Sequence, residues 1–162
     1  MTRSEQASVL ARDQLLAAVE AERAKGRTVA FANGCFDLIH VGHIRYLEGA
    51  ANEADLLVVA INSDTSTRRL KGQGRPLIPE DERSELIAAF RCVDFVTVFD
   101  ESSPAGLIAS LRPDVHCKGT DYTPEGVPER EVVESYGGRV VIVGDPKDHS
   151  TTELLGRMRS KS

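Results

Sequence analysis

Two histidines follow a short apolar segment, and their spacing suits the binding of a phosphate group. The segment Val29 to Ala32 stops at an asparagine–glycine pair, which is typical of the end of a parallel strand. His40 and His43 lie three residues apart, so in the first turn of a helix both would project from one face, with Gly42 leaving the backbone bare between them. Helix N-termini favour anions. The pattern therefore predicts a phosphate site, although an isolated pattern of this kind is equally compatible with structural histidines.

Four further motifs follow in order along the chain. They are INSD at 61–64, RLKGQGRPLIPEDER at 69–83, KGTDY at 118–122 and STT at 150–152. Together with NGCFDLIHVGH at 33–43, they resemble the nucleotidyltransferase superfamily that carries a histidine-x-glycine-histidine motif. Within it, the resemblance is greatest to the D-glycero-β-D-manno-heptose 1-phosphate adenylyltransferases of ADP-heptose synthesis. Because it rests on five ordered motifs, the resemblance is far more specific than any one of them.

The resemblance implies transfer of an adenylyl group from ATP to a sugar 1-phosphate. A phosphate monoester is largely dianionic at neutral pH, so the enzyme must supply positioning and charge neutralisation rather than a general base. Mg²⁺ is expected to arrive with the triphosphate, and no protein residue is predicted to bind it. The implied catalytic residues are His40, His43, Lys71 and Arg83. The implied nucleotide-binding residues are Cys35, Phe36, Asp37, Gly42, Lys118, Gly119, Asp121, Ser150, Thr151 and Thr152. The implied acceptor-binding residues are Asn62, Asp64, Arg75 and Arg83.

The residue types add to these assignments. Lys71 lies close to Gly72 and Gly74, which predicts a flexible cationic loop that could close over phosphates. Arg83 follows the acidic start of a helix, an unfavourable place for a cation, so it requires an external anion or a carboxylate partner. For Arg75 a salt bridge is at least as good an interpretation. Asp37 is expected to orient the turn and the histidines.

The segments between the motifs predict an α/β fold of the Rossmann-like type, a parallel five-stranded sheet with helices on both faces plus N- and C-terminal helices. Strands are predicted at 29–32, 56–61, 95–99, 115–117 and 139–143. Helices are predicted near 9–25, 41–53, 79–90, 103–111, 129–136 and 148–158. All five motifs follow strands or lie just beyond them, where parallel sheets bind ligands.

Composition restricts the class of protein. The length of 162 residues predicts an N-terminal helical extension at 1–26 and one nucleotidyltransferase domain at 27–162, with no kinase domain. A net charge of -5 argues against nucleic acid as a partner, and no apolar run approaches the ~20 residues of a membrane span. Three widely spaced cysteines predict neither disulfides nor zinc. We expect a cytoplasmic protein, and the resemblance implies a homodimer.

Three positions depart from the related families. Glycerol-phosphate cytidylyltransferases resemble this chain but carry an arginine and a glycine before their terminal STT, where this chain has Asp145 and Asp148. The heptose branch usually has glycine at Asp148 and at Thr120. Two alternatives therefore stay open at this point: a CTP-dependent cytidylyltransferase for glycerol 3-phosphate or a similar small phosphate, and a nucleotide-binding regulator without turnover.

Overall fold

Six parallel strands form the centre of the fold in the computed structural model, which describes residues 6–146 and 151–161. The strands are β1 (Ser8–Val9), β2 (Val29–Gly34), β3 (Leu56–Asn62), β4 (Phe95–Phe99), β5 (Val115–Lys118) and β6 (Arg139–Ile142). The helices are α1 (Arg12–Arg23), α2 (Val41–Ala51), α3 (Asp64–Lys71), α4 (Glu80–Ala88), α5 (Ala105–Leu111), α6 (Arg130–Ser135) and α7 (Thr151–Ser160). A short 3₁₀ helix, Pro124–Gly126, precedes α6.

The strand order places the point of reversal beside the central strand. The order is β1-β4-β3-β2-β5-β6, so the chain moves outward from β2 through β3 and β4, then crosses to the other side for β5 and β6. In such sheets, ligands bind at the carboxyl ends of the strands where the order reverses, here between β2 and β5. The predicted parallel α/β fold is confirmed.

The predicted number of five strands is wrong. The additional strand is β1, whose Ser8 and Val9 pair with Phe95 and Val96 of β4. Val9 was expected to begin the first helix, which instead begins at Arg12. A two-residue edge strand is too short for hydrophobic periodicity to reveal, because it exists only through pairing with a distant segment.

Both faces of the sheet are covered, which explains why its central strands are almost continuously apolar. Residues 30 and 32 of β2 and residues 57, 59 and 61 of β3 belong to a core shared with α2 and α4. The alternate residues 29 and 31 of β2, with 56, 58 and 60 of β3, belong to a core shared with α1, α5 and α6. Leu15 and Val19 of α1 are fully buried in this second core, so α1 packs on the sheet itself.

Helix α3 was not predicted, and it changes the setting of Lys71. Its sequence DTSTRRLK has no apolar stripe, so periodicity gives no signal, but the hydroxyl of Ser63 caps it by accepting from the N–H of Ser66. Lys71 is therefore the last helical residue rather than a loop residue. The loop begins at Gly72, whose φ of 98° is accessible mainly to glycine. In the described part of the chain, no helix is both long and apolar enough to cross a membrane.

Candidate active site

A pocket of about 540 Å³ opens at the carboxyl ends of the central strands, beside the N-termini of α2 and α7. It brings together residues from all five motifs. The predicted residues that line it are Cys35, Phe36, Asp37, His40, Gly42, His43, Asn62, Lys71, Arg75, Lys118, Gly119, Asp121, Thr151 and Thr152. Asp64 and Arg83 do not line it. Ser150 lies outside the described residues.

The two histidines form a cap at the start of α2. The Nδ1 atom of His40 accepts a hydrogen bond from the N–H of Gly42 at 3.1 Å, and Nδ1 of His43 accepts from the N–H of His40 at 3.2 Å. The two rings lie close together, with centroids 4.0 Å apart. Because each Nδ1 is an acceptor, each ring is a neutral imidazole whose proton lies on Nε2.

The neutral state of His43 has a second physical cause. Burial, followed by the nearby His40, lowers the pKa of His43 to about 4. The ring of Phe36 lies beside it, with centroids 5.3 Å apart. At physiological pH the histidine pair therefore supplies Nε2–H donors rather than positive charge, and these donors stand at the positive end of the α2 dipole.

The turn between β2 and α2 allows close approach of a ligand. Phe36 has a positive φ of 49°, and its ring is folded against Gly34. A Cβ at Gly34 would lie 3.1 Å from this ring, so a larger residue would displace it. The turn is thus shaped by packing between its own residues.

Asp37 orients a different segment from the one predicted. Its buried carboxylate accepts from the N–H groups of Leu77 and Ile78 and from Nε of Arg75, the last at 2.6 Å. Burial opposes ionisation, but these hydrogen bonds and the charge of Arg75 hold the pKa of Asp37 below its usual value. Asp37 therefore fixes the loop before α4, and Arg75 has both the predicted ion pair and a place in the pocket wall.

The predicted substrate contact of Arg83 needs correction. Its side chain is fully buried and donates to the carbonyl oxygens of Cys35, Asn62 and Ile78 and to the carboxylate of Asp64. These four hydrogen bonds hold the guanidinium group behind the pocket wall. The carboxylate partner that the sequence left open is Asp64. Arg83 therefore supports the pocket from behind its wall, whereas the side chain of Asp64 is 38% exposed.

Lys118 is the most buried cation in the pocket wall. It ends β5 with 9% of its surface exposed, and among the described residues its ammonium has no carboxylate within 4 Å. Its Nζ lies 4.6 Å from the centre of the Tyr122 ring. Burial lowers the pKa of Lys118, and the charge of Glu129 opposes this change. A buried cation of this kind is suited to bind an anionic ligand.

The remaining wall comes from the segment after β6. Thr120 donates from its hydroxyl to the carbonyl oxygen of Asp145 at 2.7 Å, and Arg45 forms an ion pair with the Asp145 carboxylate at 2.6 Å. Tyr46 donates to the carbonyl oxygen of Cys117 at 2.7 Å. Arg45 and Tyr46 were not predicted. Tyr46 follows His43 by three residues on one face of α2, which could have revealed it, whereas Arg45 is two residues from His43 and lies on a different face.

Asn33 also lines the pocket and was missed. It ends the apolar segment immediately before the histidine motif, which was the available signal. At the opposite end of the site, the hydroxyl of Thr151 lies 3.4 Å from the carbonyl oxygen of Leu38. The start of α7 thus lies against the turn that leads into α2, so two helix N-termini converge on one pocket.

Fold and site together define a parallel α/β protein with a ligand pocket where the strand order reverses. Residues 31–156 match the cytidylyltransferase-like family, and the chain belongs to that family, within the nucleotidyltransferase superfamily. It is 53% identical over 147 residues to bifunctional protein HldE of Pelobacter propionicus, an alignment covering 91% of this chain and 30% of that protein. It is 55% identical over 150 residues to bifunctional protein HldE of Geotalea uraniireducens, covering 93% of this chain and 31% of the other. The chain therefore spans about a third of the length of these relatives.

A solved structure supports the fold. The lipopolysaccharide core biosynthesis protein of Thermoplasma volcanium GSS1 superposes with a TM-score of 0.65 at 27% identity, covering 75% of this chain and 100% of that one. The superfamily resemblance read from the motifs is confirmed.

Proposed function

We propose that this chain transfers the adenylyl group of ATP to D-glycero-β-D-manno-heptose 1-phosphate, forming ADP-heptose and pyrophosphate. The observation that carries the proposal is the pair of neutral imidazoles at the N-terminus of α2, facing the N-terminus of α7 across one pocket. The choice of ATP and heptose rests on the five motifs and on identity above 50% to proteins named HldE.

The proposed reaction needs no protein nucleophile. A phosphate oxygen of the sugar 1-phosphate attacks the α-phosphorus of ATP, and the bond from that phosphorus to the oxygen bridging to the β-phosphate breaks, releasing pyrophosphate. The Nε2–H groups of His40 and His43 donate to the α- and β-phosphate oxygens, where negative charge accumulates. Thr151 and Thr152 line the pocket at the start of α7 and would donate to the β- and γ-phosphates. Lys71, at the exposed rim, would neutralise the leaving pyrophosphate.

Mg²⁺ fits this site as an ion carried by the nucleotide. Within residues 6–146 and 151–161, no group of three or more histidine, cysteine, aspartate or glutamate side chains could hold a metal. Mg²⁺ commonly binds triphosphate oxygens and keeps several waters, and when bound it would neutralise phosphate charge. Among the pocket carboxylates, Asp37 is already engaged by Arg75 and two backbone N–H groups.

We also propose the extent of the domain, its location in the cell and its assembly. We place α1 in the nucleotidyltransferase domain because Leu15 and Val19 are buried in the core of the sheet. ATP and sugar phosphates are metabolites of the cytoplasm, which is the expected location. The homodimer implied by the resemblance can be measured by light scattering after size-exclusion chromatography.

The test is a matrix of pyrophosphate-release assays. ATP, CTP, GTP and UTP are each combined with heptose 1-phosphate, mannose 1-phosphate and glycerol 3-phosphate, and kcat/KM is compared. We expect ATP with heptose 1-phosphate to exceed CTP with glycerol 3-phosphate by several orders of magnitude, since a site built for one base edge leaves polar groups unpaired with another. His43→Ala, purified identically, controls for contaminating activity. If CTP with glycerol 3-phosphate were the best pair, the proposal would be overturned; binding without turnover of any pair would indicate a regulator.

A further inference from the structure

A row of three polar side chains crosses the centre of the sheet at the floor of the pocket. Asn62, Asn33 and Lys118 come from the neighbouring strands β3, β2 and β5, and all three line the pocket. Asn33 pairs in register with Ala60, two residues before Asn62, so the two asparagines share one face of the sheet. This polar row lies on the face covered by α1, α5 and α6, whereas the histidine helix α2 covers the other face.

Asn33 is held in one orientation by His116. The ring of His116 is fully buried, and its Nε2 lies 3.1 Å from Oδ1 of Asn33. Its Nδ1 is buried without a partner among the described residues, and burial lowers the pKa of His116 to about 3, so the ring carries one proton. A proton on Nδ1 would be a buried donor without an acceptor, so the proton lies on Nε2 and is donated to Asn33. Within the part of the chain that the structure describes, the two N–H donors of the Asn33 amide have no hydrogen-bond acceptor, and they are available to the pocket.

Asn62 is held in the complementary orientation. The hydroxyl of Ser66 donates to the carbonyl oxygen of Glu101 at 2.9 Å, so its oxygen accepts from Nδ2 of Asn62 at 3.0 Å. Oδ1 of Asn62 has no hydrogen-bond partner in the described part of the chain, and only 4% of this residue is exposed. Two adjacent amides thus offer the pocket a donor from Asn33 and an acceptor from Asn62.

We propose that Asn33 and Asn62 bind hydroxyl groups of the acceptor sugar, with Asn33 as a specificity-determining residue and His116 as the residue that positions it. This inference rests on the proposed function. A hydroxyl group both donates and accepts hydrogen bonds, so it matches the donor of Asn33 and the acceptor of Asn62. A negatively charged phosphate oxygen can only accept, so it would be repelled by Oδ1 of Asn62. Lys118, at the end of the row, supplies positive charge for the phosphate attached to the same sugar.

The buried nitrogen of His116, unpartnered as far as the structure describes the chain, lowers the stability of the fold, which indicates a role beyond packing. A buried nitrogen without a partner destabilises a fold, and an apolar side chain of similar size would avoid this cost. What the histidine provides in return is the hydrogen bond that orients Asn33.

A double-mutant cycle tests the inference. Asn33→Ala and His116→Leu should each raise KM for heptose 1-phosphate about 10-fold, the effect of losing one hydrogen bond to a buried hydroxyl, with KM for ATP changed less than about twofold. If His116 acts through Asn33, the double variant will be no worse than Asn33→Ala. His116→Gln, which keeps a donor, should recover most of the loss. Asn52→Ala, at the exposed end of α2, is the matched control. Additive losses, or a rise in KM for ATP alone, would refute the assignment.

Calorimetry separates this inference from the proposed function. Heptose 1-phosphate and inorganic phosphate are titrated into the wild-type protein and the Asn33→Ala variant. A loss of affinity for heptose 1-phosphate with unchanged affinity for inorganic phosphate supports hydroxyl recognition, even if the wild-type protein releases no pyrophosphate and the proposed reaction fails. Equal affinities of the two proteins for heptose 1-phosphate, or equal losses for both ligands, would overturn it.

Discussion

Arg83→Met should destabilise the protein strongly, because it removes the buried guanidinium that joins three segments of the pocket wall. The side chain donates to Ile78 O at 2.8 Å, to Cys35 O at 2.6 Å, to Asn62 O at 2.8 Å and to the Asp64 carboxylate at 2.8 Å. Methionine fills much of the space without replacing a donor. Asp64 is partly exposed, so the cost comes chiefly from the buried carbonyl oxygens left without a donor, at about 1–3 kcal/mol each and roughly 3–5 kcal/mol together. At about 2–4 °C per kcal/mol for a chain of this size, the thermal midpoint should fall by roughly 6–20 °C.

Thermal unfolding followed by circular dichroism measures this change, and turnover is measured at a temperature where the variant is folded. Arg91→Met is the matched control, because Arg91 is exposed and should shift the midpoint by less than about 2 °C. A variant of Arg83 that kept the wild-type midpoint but lost turnover would show that the guanidinium reaches the substrate, and the positioning role argued from its buried bonds would be wrong.

Two further predictions concern the histidines. His43→Ala, and His40→Asn, which keeps a helix-capping side chain, should each lower kcat for pyrophosphate release about 10²–10³-fold while the protein stays folded by circular dichroism; near-normal turnover would exclude them as donors. Burial lowers the pKa values of His43 and His116 in the folded protein, so as pH falls from 6.5 towards about 4 these histidines bind protons only in the unfolded chain. The free energy of unfolding should therefore decrease by about 1.4 kcal/mol per pH unit for each histidine. Urea unfolding should show a smaller pH dependence in His116→Leu; an unchanged dependence would contradict the buried neutral state.

Local signals were sufficient for the general architecture and the centre of the site. Apolar segments alternating with helical patterns predicted the parallel sheet, because strands buried on both faces must be apolar throughout. The spacing of His40 and His43 predicted one helix face, and in the structure His40 is the N-cap of α2 and His43 lies in its first turn. In each case the information lies within a few residues of the chain.

Other features depend on partners that are distant in the sequence. The two-residue strand β1 exists only by pairing with β4, about 87 residues later (Ser8 with Phe95). Helix α3 has no apolar stripe, so its formation depends on the Ser63 cap and on packing against the rest of the fold. Neither feature leaves a periodic pattern that could be read in advance.

The sequence by itself determined which residue types stand at the ends of the strands, because the motifs and the strands are both local patterns. Only the tertiary structure decided what each of these side chains does. Arg83 is buried behind the pocket, Asp37 fixes the loop of Arg75, and Asn33 is oriented by His116 from the neighbouring strand. These roles follow from burial and from hydrogen bonds that include spans of 38, 48 and 83 residues, and such long-range contacts form only when the sheet brings the strands together.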